Sequence, residues 1–236
     1  MTPRTSRECE KENRALAMYV AAANWGWMSE NHPPQADQEI PFYLTSPFIE
    51  PADILCAMGE MRNLLRERCW GLKDSRLLAR EIAVDKAAVR ALVRELFGEE
   101  VAVRKRAADV ARRITERDAA PLEHYADELA GLLELLLAEE SPKQADSQTR
   151  WHLALVVARV AHTRLQRLRA ARILSLLADS ESNAVRCSAV EGLATLALGE
   201  PSLRGEADAM VERFLWNGTP AMKARARHAQ KMLKKL

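Results

Sequence analysis

Apolar positions recur in this chain in one twelve-residue phrase, found four times and beginning at Val103, Thr149, Val185 and Met222. The copies read VRKRAADVARRI, TRWHLALVVARV, VRCSAVEGLATL and MKARARHAQKML, and they align without a gap at spacings of 46, 36 and 37 residues. Each places its apolar or small residues at i, i+4, i+7 and i+11, the stripe of a helix buried along one face. The four stripes are Val103, Ala107, Val110, Ile114; Thr149, Leu153, Val156, Val160; Val185, Ala189, Gly192, Leu196; and Met222, Ala226, Ala229, Leu233. Small residues in the middle of a stripe allow close helix approach, and bulky ones at its ends fill the layer between units. A supersecondary unit copied at this interval buries its face only against its neighbours.

Partner helices are expected between the phrases. Pro121–Ala138 carries Leu122, Tyr125, Leu129, Leu132, Leu133 and Leu136 at helical spacing, and Leu165–Ala178 and Leu203–Leu215 fill the same role for the next two units. Turns are expected at Asp179–Asn183 and Asn217–Pro220, and Gly71, Gly98, Gly199 and Gly218 stand where helices should end. Apart from Ile40–Leu44, strand signals are weak. The pattern predicts an all-α chain with an irregular N-terminal segment over 1–50, holding one possible helix at Asn13–Met28, and a helical array over 51–236. Five prolines in His32–Pro51 forbid a long helix there, whereas from Pro51 a helix with Ile54, Met58, Met61 and Leu65 is expected to run up to a break at Gly71. That first segment is read as a cap over the array that seats Trp25 and Trp27, or else as a partner-docking arm.

The run LLADSESNAVRCSAVEGLATLA (Leu176–Ala197), with its acidic turn, Val-Arg pair and alanine-rich helix, resembles a bacterial HEAT repeat of the kind called PBS-lyase-like. Gln148–Leu177 and Val101–Leu133 resemble bacterial HEAT-repeat proteins without an assigned activity, and the likeness extends over about residues 76 to 236. The resemblance implies a right-handed α-α superhelix, a solenoid of about four to five helical hairpins, and a binding platform whose partner the fold leaves open.

Composition alters this picture little. With 48% hydrophobic and 29% charged residues the chain has an ordinary globular make-up. The longest uncharged run, Ala15–Ser29, is interrupted by Asn24 and Gly26 and is too short to span a bilayer, and acidic residues precede it where a secretory signal would be basic. Cys9, Cys56, Cys69 and Cys187 lack C-x-x-C spacing, so reduced thiols in the cytoplasm are expected. His152 and His162 fall on different helical faces, and no H-E-x-x-H pattern, phosphate loop, dinucleotide turn or nucleophile elbow occurs. Glu123, Asp127, Glu128 and Glu134 are expected on a solvated helix face. The expectation is a non-enzyme with no cofactor and no metal.

Charge carries the functional hint. The formal net charge is only +2, yet Ser147–Ala178 holds six arginines and no acid, and Thr219–Leu236 holds six Lys or Arg and no acid. Glu99–Asp146 compensates with twelve acids against seven bases, and Asp179–Gly218 with seven against three. The second residue of every phrase is basic: Arg104, Arg150, Arg186 and Lys223. Those residues form either a ladder for a partner or a set of turn caps. Lys223, Arg227, Lys231 and Lys234 share one side of the last helix, and Arg164 and Arg167 form a pair at the start of an earlier one. The stripes serve solubility and the helix dipole, an acidic protein partner, or nucleic-acid phosphates. Arg150-Trp151 and Leu165-Gln-Arg167 also resemble short pieces of HEAT-like alkylpurine DNA glycosylases, whose basic groove sets Trp, Asp and Arg around a lesion; no matching Asp occurs between Ser147 and Ala178. The macromolecule-binding candidates are therefore Arg150, Trp151, Arg164, Arg167, Lys223, Arg227, Lys231 and Lys234. The expected function is a protein-interaction platform, with DNA binding as the alternative and no membrane association.

Overall fold

The computed structural model describes residues 60–66, 72–138 and 147–235, all within the unit Ile49–Leu236. Among the described residues all regular structure is helical and no strand occurs. Residues 60–66 are helical and bury Met61 and Leu65, as the stripe from Pro51 predicts; the rest of that stripe, the 1–50 segment, Cys9, Cys56, Cys69 and Gly71 lie outside the described residues. The helices that follow are α1 (Leu72–Ala83), α2 (Lys86–Leu96), α3 (Val101–Arg117), α4 (Ala120–Glu123), α5 (Ala126–Ala138), α6 (Ser147–Val160), α7 (Arg164–Leu177), α8 (Asn183–Gly199), α9 (Arg204–Asn217) and α10 (Pro220–Leu233). A single 3-10 turn, Pro201–Leu203, leads into α9.

The four phrases coincide with α3, α6, α8 and α10, and each phrase begins two residues after its helix does. All sixteen stripe positions are buried. They make the seams by which α3 packs on α6, α6 on α8 and α8 on α10. The intervening helices pack as partners: α5 on α6 and α7, α7 on α8, and α9 on α8 and α10. α1 and α2 both pack on α3, so the row of neighbours begins before the first phrase.

Local chemistry explains the boundaries. Thr163 accepts from the Gln166 amide while the Gln166 side chain accepts from the Thr163 amide, a reciprocal cap that starts α7. Asp85 caps α2 by accepting from the Ala87 amide at 2.8 Å, and Thr219 caps α10 ahead of Pro220. Gly218 closes α9 where no side chain fits, since a Cβ there would lie 2.3 Å from the Phe214 carbonyl oxygen. Gly192 sits at a close helix approach: a Cβ would lie 2.9 Å from Leu174 Cδ1 and 3.2 Å from Ala158 Cβ.

One expected element is divided. The run Pro121–Ala138 forms α4 and α5 with a turn at His124–Tyr125, because the Tyr125 amide bonds three residues back to Leu122 and the Tyr125 carbonyl opens the next helix at Leu129. The turn leaves the leucine stripe intact, with Leu122, Leu129, Leu132, Leu133 and Leu136 all buried. Asp127, Glu128 and Glu134 are exposed on the opposite side, as their spacing predicts.

Candidate functional site

The repeated phrase builds a polar seam beside its buried stripe. Positions four, seven and eleven of the phrase lie on one flank of that stripe, since they repeat at i, i+3 and i+7. Position four is Arg106, His152, Ser188 and Arg225; position seven is Asp109, Leu155, Glu191 and His228; position eleven is Arg113, Arg159, Thr195 and Met232. Helix packing brings position four of one helix to position seven of the helix before it. His152 Nδ1 accordingly lies 3.8 Å from Asp109 Oδ1 between α6 and α3, and Arg225 bonds Glu191 between α10 and α8.

At the α3–α6 end the seam is dense. Arg112 is buried and donates from Nε to His152 Nδ1 at 2.9 Å and from Nη2 to Asp109 Oδ1 at 2.9 Å, and it also bonds Glu116. Arg113 adds contacts to Glu116 at 3.1 Å and Asp109 at 3.5 Å. Trp151 is half-buried against the core, stacked on His152 with ring centroids 3.6 Å apart and covered by the Arg112 guanidinium at 5.2 Å.

These contacts fix protonation. An arginine can only donate, so the bond from Arg112 makes His152 Nδ1 an acceptor and places the ring proton on Nε2. Burial, reinforced by Arg112 and Arg113 against the opposing pull of Asp109, lowers the His152 pKa from 6.5 to about 3. Burial works against the Asp109 carboxylate, but the Arg112 hydrogen bond, the positive charge around it and the Ser75 hydroxyl hold it below the ordinary range. At pH 7 His152 is therefore neutral and Asp109 ionised. Among the described residues no three His, Cys, Asp or Glu side chains are placed to hold a metal, and no helix is long and apolar enough to cross a membrane.

The candidates from the sequence distribute unevenly. Trp151 belongs to the seam. Arg150, its neighbour, keeps Nε and one terminal nitrogen buried without a hydrogen-bond partner. Arg164 reaches Glu200 at 3.6 Å, and Arg167 donates to the carbonyls of Ala161 and Gly199 at 3.2 and 3.0 Å, so both act within the fold. The second phrase position serves as a turn cap in two copies: Arg104 donates to the Gly98 carbonyl at 3.0 Å and Arg186 to that of Ser180, each six residues back. Lys223, Arg227 and Lys231 lie together on α10 with Lys234 at its C-cap, and none enters an ion pair among the described residues. At 100° per residue they occupy the flank of the α10 stripe away from Arg225 and Glu191.

The segregated charges of the sequence meet across helices. Arg169 on α7 reaches back to Asp127 and Glu134 on α5 at 3.3 and 2.6 Å, whereas Arg159 and Arg164 reach forward to Glu191 and Glu200. Sequence reasoning did not single out Asp109, Arg112, Arg159, Glu191 or Arg225. The readable signal was the alignment of the phrases, in which the fourth, seventh and eleventh columns are mostly polar beside an apolar stripe. Compared with family models and with curated proteins, the sequence matches none.

Proposed function

We propose that this chain is a non-catalytic HEAT-like platform, a right-handed α-α solenoid that acts in the cytoplasm and binds another protein through acidic groups on that partner. Neighbour-to-neighbour packing of the phrase helices supports the solenoid reading, since repeat arrays bury each unit against the next. The observation that carries the function is the contrast in charge satisfaction. On the inner helices Arg112, Arg113, Arg159, Arg164 and Arg169 all meet acids, whereas among the described residues the row Lys223, Arg227, Lys231 and Lys234 on α10 meets none. A row of cations with no acid against it among the described residues, on the flank of α10 away from the mixed-sign seam, favours a protein surface that carries acidic groups.

The same row favours a second reading, DNA binding without an assigned activity, because phosphates would neutralise it equally well. The seam argues against the glycosylase-like version. Arg112 contacts both Asp109 and Trp151, but it covers the indole and bonds the Asp109 carboxylate itself.

A displayed random-peptide library selected on the immobilised protein tests the first reading. Selected peptides should be rich in Asp and Glu and should be lost from the triple variant Lys223→Glu, Arg227→Glu, Lys231→Glu. Selection without acidic enrichment, or one that survives the reversal, removes it.

A further inference from the structure

We infer that the outward face of α7 is a docking surface for an amphipathic helix of a partner protein, one whose apolar face carries a single acidic residue. The inference rests on the platform reading and adds to it a second surface, distinct in its residues from the α10 row.

Helix α7 buries Ala170, Ala171, Ile173, Leu174 and Leu177, yet its opposite side is apolar as well. Leu165, Leu168 and Leu176 are 71%, 37% and 60% exposed. With Arg172 they stand at i, i+3, i+7 and i+11, so one exposed row runs for about 16 Å at the helical rise of about 1.5 Å per residue. A single exposed leucine needs no explanation, whereas three in one row on one helix make an apolar patch. Polar groups frame it. On one flank Arg169 bonds Asp127 and Glu134 of α5, and on the other Ser175 donates to Glu206 of α9. An apolar centre inside a satisfied polar rim is the anatomy of a protein interface.

Arg172 selects the occupant. It is exposed between Leu168 and Leu176 in the row, and among the described residues it meets no acid. Any surface that covers the leucines also covers this charge, and a desolvated charge left unpaired would oppose binding. The partner must therefore bring a carboxylate to that point of an otherwise apolar face.

Other occupants fit less well. Arg172 lies near the middle of the row, so a second copy of α7 related by a two-fold axis would set the arginine against its own equivalent. The phosphates of DNA or of an anionic bilayer would meet Asp127, Glu134 and Glu206 along the flanks. An extended peptide would need a sheet edge to join, and the described residues contain no strand. A helix laid along the row matches its length and its periodicity.

The test is a displayed library of helical-hairpin miniproteins with one face randomised, selected on the immobilised full chain. Short free peptides form no stable helix in water, so the random-peptide selection reports separately on the α10 row. Selected faces should carry apolar residues around one Asp or Glu. Leu165→Ser with Leu176→Ser, at unchanged circular dichroism, should weaken their binding by at least about tenfold, as expected when a leucine contact is lost. Selection on Arg172→Glu should exchange the acid for Lys or Arg, and the variant Lys223→Glu, Arg227→Glu, Lys231→Glu should retain the original binders. The inference is overturned by an acid that does not switch with Arg172→Glu, by binders indifferent to the leucines, or by dimerisation or flotation with phosphatidylserine vesicles that the leucine substitutions abolish. If the free-peptide selection is acidic and depends on the α10 row while no helical binder depends on α7, the platform reading stands and this surface alone fails.

Discussion

Helices α6 and α10 carry copies of the same phrase, bury the same stripe and lie in the same row of neighbours, yet their charges have different fates. α6 is packed by α3 on one side and α8 on the other, and its seam residues His152 and Arg159 contact both neighbours. α10 packs on α8 and α9, so Arg225 finds Glu191 while Lys223, Arg227, Lys231 and Lys234 find no acid among the described residues. The scaffold is therefore set by the stripe, and the state of a polar residue is set by which neighbour faces it. Function is to be sought where the phrase repeats and the partner does not.

The largest expected effects fall on the stripe, where the two helices are equivalent. Ala189→Asp places an unpaired charge at a fully buried position and should cost about 3–5 kcal/mol in urea unfolding; an unchanged midpoint would mean that the stripe is not the contact. Gly192→Leu should cost about 3 kcal/mol by overpacking against Leu174 and Ala158, read from the same experiment.

A smaller effect separates the two helices by pH. The folded-state pKa of His152 lies near 3 and the ordinary value is 6.5, so the unfolded chain binds the extra proton. Stability should be fully present above pH 6.5 and fall as pH drops towards 3, by at most about 1.4 kcal/mol per pH unit. The depressed Asp109 acts in the same direction at the lower end of that range. His152→Gln should flatten the slope between pH 6.5 and 5 in denaturant melts, and an unaltered slope would place the titration elsewhere.

Loss of a turn cap comes next: Arg104→Ala should cost about 1 kcal/mol, the worth of one hydrogen bond to a carbonyl, seen as a modest drop in Tm. Least of all is expected from Lys223→Glu with Lys231→Glu, within about 0.5 kcal/mol of the parent, since Lys223 is only half-buried, Lys231 is exposed, and neither meets an acid among the described residues. A collapse of the helical circular dichroism signal would show those cations to be structural.

What could be read from sequence follows the same division. The stripes were legible because burial repeats with the helical period and because four copies reinforce one another, so Val103 and Leu233 could be placed equally well. Turns were legible where chemistry is local, at Gly218 and at Thr219-Pro220. The break at His124–Tyr125 was not, because neither residue is a helix breaker and the leucine stripe runs through it. The seam was hidden for another reason: Arg159, Glu191 and Arg225 lie 32 and 34 residues apart, and their pairing exists only after the stripes have set the helix register. The α10 row was visible as a stripe of charge, but its lack of acidic partners is a property of the packed helices.

The measurement that bears most directly on the account is fluorescence anisotropy of labelled duplex DNA with the full chain at about 50 and 200 mM salt, the range over which phosphate-driven affinity collapses. A protein platform with a mixed-sign seam predicts no submicromolar binding at either concentration. Submicromolar binding that falls steeply with salt and disappears when Lys223, Arg227 and Lys231 are reversed would contradict it, and the α10 row would then be a phosphate track.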